Sequence, residues 1–207
     1  MYAKIVFLAV VAAAQAQLTN NGSCNFESLQ MEISAGTSFQ SRKMYEISRI
    51  SNNWQSGQCA SWELKNITNS SLPTVHMTEV VNRKLVERNA TVLGTSIGST
   101  TVASLDFNDF SSNFTILGLT DEFLILYACS NHGETKKEYI WRLSNNTVLS
   151  ESAIVESNKI LNNNNFGNLT WNTISHTSES CQTGGAVSLK VSSFIVLLVG
   201  LALSKVF

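Results

Sequence analysis

The chain is 207 residues long, carries a formal net charge of −1 and is 43% hydrophobic, with one proline and four cysteines. A charge this close to neutral, with no basic cluster, argues against nucleic acid as a partner. With two apolar ends set aside, the remainder suits one domain able to bury its own core.

In chain order, the first element is an apolar block. Lys4 precedes a hydrophobic run from Ile5 to Ala14, and Ala14-Gln15-Ala16 offers the small-x-small pattern that signal peptidase accepts. Residues 1–16 therefore read as a secretory signal peptide cut before Gln17. A buried N-terminal helix is the competing reading, and the unbroken run gives it no polar face.

From Lys43 to Ser144 the chain alternates short runs of Val, Ile, Thr, Phe, Leu and Trp with clusters of Asn, Ser, Gly and Asp. Strands are expected near Lys43–Ile50, Cys59–Asn66, Thr74–Val81 and Asn89–Ser96. Four more follow near Thr101–Phe107, Asn113–Leu119, Phe123–Ser130 and Glu138–Ser144. Eight consecutive strands with short connections favour an antiparallel meander, and closure into an up-and-down barrel hides both edges. Between Val80 and Arg88 a helical turn is an open alternative, because Val81, Lys84, Leu85 and Arg88 fit that period too.

One helix is expected after the strands. Ser150 is a natural N-cap, Glu151 adds negative charge in the first turn, and Ile154, Ile160 and Leu161 form a narrow apolar stripe ended by an Asn run. One helix cannot make a core alone, so it should pack outside the barrel. Asn168–Ile174 reads as a further short strand.

The tail is apolar again, but Phe194–Leu203 is ten residues, where a membrane span needs about 20. Upstream stand Gly184-Gly185-Ala186 and the spacer Val187–Ser193. Small triplet, spacer and apolar end together form the pattern of a glycosylphosphatidylinositol (GPI) anchor signal, with Gly184 as the attachment residue. The domain is then 17–184, and 185–207 is a propeptide that is removed. A C-terminal membrane helix and a buried helix are the alternatives. The secretory reading agrees with the cysteines Cys24, Cys59, Cys129 and Cys181, which form no C-x-x-C pair. It also agrees with seven Asn-x-Ser/Thr sequons, at Asn21, Asn66, Asn69, Asn89, Asn113, Asn145 and Asn168.

Three stretches in order resemble the lipocalin family. Met44–Ile50, "MYEISRI", is similar to the first-strand motif Gly-x-Trp-Tyr-Glu-Ile-x-Arg of the branch holding apolipoprotein D, the insect bilin-binding proteins and the GPI-anchored Lazarillo. Tyr45, Glu46, Ile47 and Arg49 match it, whereas Arg42 and Met44 replace the Gly and Trp. "GLTDEFLILYAC" resembles the second motif through Thr120, Asp121 and Cys129, and "WRLSNNTVLSE" the third, with Arg142 in the Arg position. The resemblance implies an all-β fold: an eight-stranded antiparallel barrel with one C-terminal helix packed outside. It implies disulfides Cys24–Cys129 and Cys59–Cys181, one of three possible pairings. It also places Arg142 across the barrel floor, where Met44 offers a thioether in place of the usual ring. Tyr45 and Glu46 belong to that floor motif; ordinary packing and pairing on an amphipathic strand is the plainer reading of both.

Given that pairing, Cys59 and Cys129 must point outward, and so must a glycosylated Asn113. Strand alternation then turns Trp62, Phe114, Ile116, Leu124 and Leu126 inward, a set without charge. Ser61, Glu63 and Lys65 face out, and Phe123 and Ile125 lie outside beneath the helix. An eight-stranded barrel can be solid or can hold one small ligand. The resemblance implies the second, with these five residues as the ligand-binding wall.

Enzyme chemistry has little support. His76, His132 and His176 lack the spacing of a metal site, and no Gly-x-Ser-x-Gly elbow occurs. Asp106 and Asp109 lie in what reads as a hairpin turn. No metal or resident cofactor is expected. Two functions are expected to compete: carriage of a small hydrophobic molecule (a fatty acid, retinoid, sterol or bilin pigment), and recognition of a cell-surface protein partner by the barrel's exterior. Either would operate outside the cell, with a GPI lipid as the contact to the membrane.

Overall fold

The computed structural model describes residues 18–35, 43–65, 72–97 and 100–184. The expected signal peptide 1–16, the propeptide 185–207, Arg42 and the sequons Asn66 and Asn69 lie outside the described residues.

Eight strands form the barrel wall: β3 (Lys43–Ile50), β4 (Gln58–Lys65), β5 (Thr74–Val81), β6 (Lys84–Ile97), β7 (Thr100–Asp106), β8 (Ser111–Leu119), β9 (Phe123–His132) and β10 (Thr135–Ser144). Each pairs antiparallel with the next, and β10 returns to β3 with Trp141 opposite Arg49 and Ser144 opposite Tyr45, which closes the barrel. Strand β6 is longer than its sequence pattern indicates, and the helical alternative at Val80–Arg88 does not occur. Asn82 and Arg83 instead take left-handed φ values of 50° and 62°, making a two-residue hairpin between β5 and β6. Such turns need positive φ at both central residues, and asparagine tolerates it best after glycine.

Three short strands decorate the wall. β1 (Leu18–Asn21) pairs with the start of β10, and β2 (Glu32–Ile33) runs parallel to the end of β8. β11 (Trp171–Thr173), shorter than the expected Asn168–Ile174, pairs with β3. The first two carry no clear alternation; they become strands by pairing with the stretches of β10 and β8 that β3 and β7 leave unpaired.

The helix α1 (Glu151–Asn163) begins where expected, with the Ser150 hydroxyl accepting the Ala153 N–H at 3.2 Å. Its buried face is Ala153, Ser157, Ile160 and Leu161, whereas Ile154 is exposed. The helix approaches the sheet closely at Gly118 on β8, where a Cβ would sit 2.7 Å from Ile160 Cδ1. The helix covers the outward residues Phe123, Ile125 and Tyr127, together with Leu117, which a bulge between Ile116 and Gly118 turns out of the barrel.

Disulfides Cys24–Cys129 and Cys59–Cys181 are both present, closing sequence separations of 105 and 122 residues. They fasten the segments before and after the barrel to β9 and β4. In a chain-entropy treatment, loops of this size are each worth about 4–5 kcal/mol.

Replacing Ile160 with alanine should cost about 2–5 kcal/mol of stability. The same change at Val155, which is 70% exposed, should cost under about 0.5 kcal/mol. Urea unfolding of both variants checks the difference.

Candidate ligand cavity

The two halves of the barrel interior differ in kind. One half is filled by the β3–β4 loop, residues 51–57, folded into the barrel. Asn52 starts the fold, its Oδ1 accepting the N–H groups of Trp54 (3.0 Å) and Gln55 (2.7 Å). Gln55 is 2% exposed; its amide donates to Glu46 Oε2 at 3.1 Å, and its oxygen accepts Trp141 Nε1–H at 2.5 Å.

Glu46 is the centre of this plug, with no exposure to water. Its carboxylate accepts from Arg49 Nη1 at 2.5 Å and Trp62 Nε1 at 3.0 Å as well as from Gln55. Residues three apart on a regular strand face opposite sides. Here a bulge in β3, where Leu143 pairs with Glu46 but Arg142 pairs with Ser48, turns both Glu46 and Arg49 inward.

Beyond Glu46 the polar chain runs across the barrel. Arg49 Nη2 donates to Gly57 O at 2.7 Å, and Gly57 N–H donates to Glu79 Oε2 at 2.7 Å. Arg88 then bridges Glu79 (2.7 Å) and Asp109 (2.8 Å). Position 57 has no room for a side chain, since a Cβ there would lie 2.6 Å from Glu79 Oε2 and 2.8 Å from Val80 O. Trp54 caps the assembly, stacked on Phe110 with centroids 4.3 Å apart, beneath the Arg88 guanidinium at 5.1 Å, and donating to Asp109 Oδ1 at 3.1 Å. Partial burial works to raise the Asp109 carboxyl, but the bonds from Arg88 and Trp54 and the charge of Arg88 outweigh it and hold it below the usual carboxylate range. The interior of the barrel is therefore not free of charge, as the five inward apolar residues alone would indicate.

The other half is hollow. A cavity of about 520 Å³ lies among Met44, Trp62, Leu64, Val75 and Val92 on one side. Leu105, Phe114, Ile116, Leu124, Leu126 and Leu143 line the other, with Met31 and Ile33 from the segment around β2. This volume is within the usual range for small-molecule sites, about 300–1,000 Å³. The structure brings all five residues expected to face inward (Trp62, Phe114, Ile116, Leu124 and Leu126) into this one wall. Trp62 is shared by both halves, presenting its ring to the cavity while its N–H holds Glu46.

The floor motif departs from expectation. Arg142 faces outward, not across Met44: its guanidinium lies 5.1 Å over the Trp171 ring and donates to Asn158 Oδ1 at 2.8 Å. Trp141 and Leu143 point inward, so alternation leaves Arg142 no way in. Burial without a charge partner lowers the Arg142 pKa. Met44 is buried in the cavity wall, and Tyr45 faces out, edge-on to His176 at 5.4 Å. Asp106 and Asp109 flank a hairpin turn, and Asp109 belongs to the plug. His176 lies with Cys59 and Cys181, but both sulfurs are committed to their disulfide and offer no thiolate to a metal. Sequons Asn21, Asn89, Asn113, Asn145 and Asn168 are all exposed.

No family model and no curated protein sequence matches the chain. Solved structures do. Insecticyanin from the tobacco hornworm Manduca sexta superposes with a TM-score of 0.62 at 15% identity, over 82% of this chain and 94% of that one. H1 crustacyanin from the lobster Homarus americanus gives 0.62 at 15% identity, over 78% and 92%. The siderocalin Ex-FABP gives 0.52 at 12% identity, over 67% and 95%. At such identities the likeness speaks for the fold alone, and the fold is that of the lipocalins: a closed eight-stranded antiparallel barrel followed by one helix.

Glu46→Ala strands the Arg49 charge in the interior and should cost about 3–5 kcal/mol. Glu63→Ala, which breaks the partly exposed pair with Lys65 at the margin of the cavity, should cost under about 1 kcal/mol. Chemical denaturation of the two variants separates these outcomes. A carboxyl whose folded pKa is depressed stabilises above its unfolded value, about 3.9 for Asp, and loses that contribution as pH falls through the lower folded value. The Trp54 environment should therefore change below about pH 4. Acid titration of tryptophan fluorescence in the parent and in Asp109→Asn, where this step should be missing, tests it.

Proposed function

We propose that this chain is a lipocalin of the apolipoprotein D-like branch that carries a small hydrophobic molecule at the outer face of the plasma membrane. The observation that carries the reading is the 520 Å³ cavity, walled mainly by apolar and aromatic residues, with Glu63, Thr101 and Thr115 the polar ones, inside a barrel tied by two disulfides. Affinity would come from burial, at about 25 cal/mol for each Å² of apolar surface removed from water. A preformed wall limits the ordering that binding requires. The siderocalin with the same fold is described as functioning through dual ligand specificities, which agrees with use of the barrel as a binding site.

In this reading residues 1–16 direct secretion, sugars occupy exposed sequons, and the GPI lipid is joined at Gly184. The Gly184 N–H donates to Arg83 O at 2.9 Å, on the β5–β6 hairpin and so at the plugged end of the barrel. An anchor there would set the plug toward the membrane and leave the cavity half farther out.

The exterior supplies a second reading, recognition of a surface protein. Val148 before the helix is 74% exposed, and Val155 on it is 70% exposed, both apolar and uncovered.

Protein released from cells by phosphatidylinositol-specific phospholipase C, analysed by native mass spectrometry, should carry an organic adduct. All-trans-retinol should quench its tryptophan fluorescence, and Leu126→Trp, which fills the cavity, should remove the adduct. No release by the phospholipase would remove the anchor from the proposal. No adduct and no quenching, with Leu126→Trp displayed and active as the parent is, would favour the exterior.

A further inference from the structure

Resting on the carrier reading, we infer that the cavity selects neutral ligands, such as alcohols, esters or hydrocarbons, over carboxylates of the same shape. A buried carboxylate needs a cation or several donors. Among the described residues no Lys or Arg side chain lines the cavity. The charges of the two guanidiniums inside the barrel are already matched, Arg49 by Glu46 and Arg88 by Glu79 and Asp109, although Arg49 Nε itself has no hydrogen-bond partner among the described residues. Within the plug the buried carboxylates Glu46 and Glu79 offset the two guanidiniums, and half-exposed Asp109 adds a second partner to Arg88, so the polar half has no spare cation to offer the hollow half.

The contact between the halves strengthens this. Trp62 Nε1–H is the polar atom of the shared wall, and it points away from the cavity to Glu46. The Trp141 Nε1–H is likewise taken by Gln55. Both indole donors near the cavity are thus turned into the plug, and their rings are left to the apolar side. A carboxylate entering the cavity would lose its water and, among the described residues, meet neither cation nor free indole N–H; the Thr115 hydroxyl in the wall already donates to Thr101 O at 2.9 Å, and Glu63 there is itself an acid. A hydroxyl loses far less on the same path, because an uncharged group is desolvated more cheaply.

The test is a matched-pair titration at pH 7.5: all-trans-retinol against all-trans-retinoic acid, and 1-hexadecanol against palmitate, read by competition in native mass spectrometry. The alcohol of each pair should bind at least about tenfold more tightly. Val92→Lys adds a cation to the cavity wall and should reverse the order; Leu64→Lys, at another partly buried wall position, serves if the first variant does not fold. Acids binding as well as or better than their alcohols to the parent protein would overturn the inference and leave the carrier reading standing. Failure of all four compounds, with the cavity still fillable by Leu126→Trp without effect, would overturn both.

Discussion

A carboxylate sealed from water at the middle of a β-barrel constrains everything around it. Glu46 has no exposure, and isolated it would be intolerable there. It is matched by a guanidinium, an amide and an indole N–H, and each of these donors must be held in place by something else. Arg49 needs the β3 bulge, Gln55 needs the loop turned inward by Asn52, and Trp62 needs its ring packed in the wall. The polar network thus determines which end of the barrel is full. It also explains why the β3–β4 loop lies within the barrel rather than over it.

From that follows the division of labour along the barrel axis. The plugged half is specific in its geometry: hydrogen bonds and ion pairs accept few alternatives, and Gly57 fits because any Cβ would strike Glu79 and Val80 O. The hollow half is generic, lined by leucines, valines, methionines and two aromatic rings that adapt to an apolar guest. Trp62 joins them, so occupancy of the cavity and integrity of the plug share one residue. The helix and the disulfides act outside this axis, holding the wall closed while leaving the interior to be either filled or empty.

Much of this arrangement was legible in the sequence. Runs of β-branched residues punctuated by Asn and Gly marked all eight barrel strands, because pleated pairing and turn chemistry act locally. Parity from Cys59, Asn113 and Cys129 turned the right five side chains toward one wall. The plug was less legible. The same parity argument applied to β5 and β6 puts Glu79 with Met77, and Arg88 with Ala90 and Val92, on the inner face, so part of it was there to be read. Two features could not be. The bulge that brings Glu46 and Arg49 to one side breaks alternation without a local signal, and the inward loop depends on contacts from strands far apart in the sequence, among them β3, β5, β6 and β10. Arg142 shows the opposite error: a motif position placed it on the floor, whereas its neighbours Trp141 and Leu143 already claimed the interior and left it outside on Trp171.

The account is tested most directly by the methionine methyl groups, which sample the two halves separately. Met31 and Met44 line the cavity, while Met77 lies in the plug, with its sulfur 3.3 Å from the Gln55 amide. In protein labelled with ¹³C at methionine methyls, addition of retinol should shift the Met31 and Met44 resonances and leave Met77 in place. A shift confined to Met77, or resonances of all three unmoved by a ligand that binds, would contradict a barrel that is plugged at one end and hollow at the other.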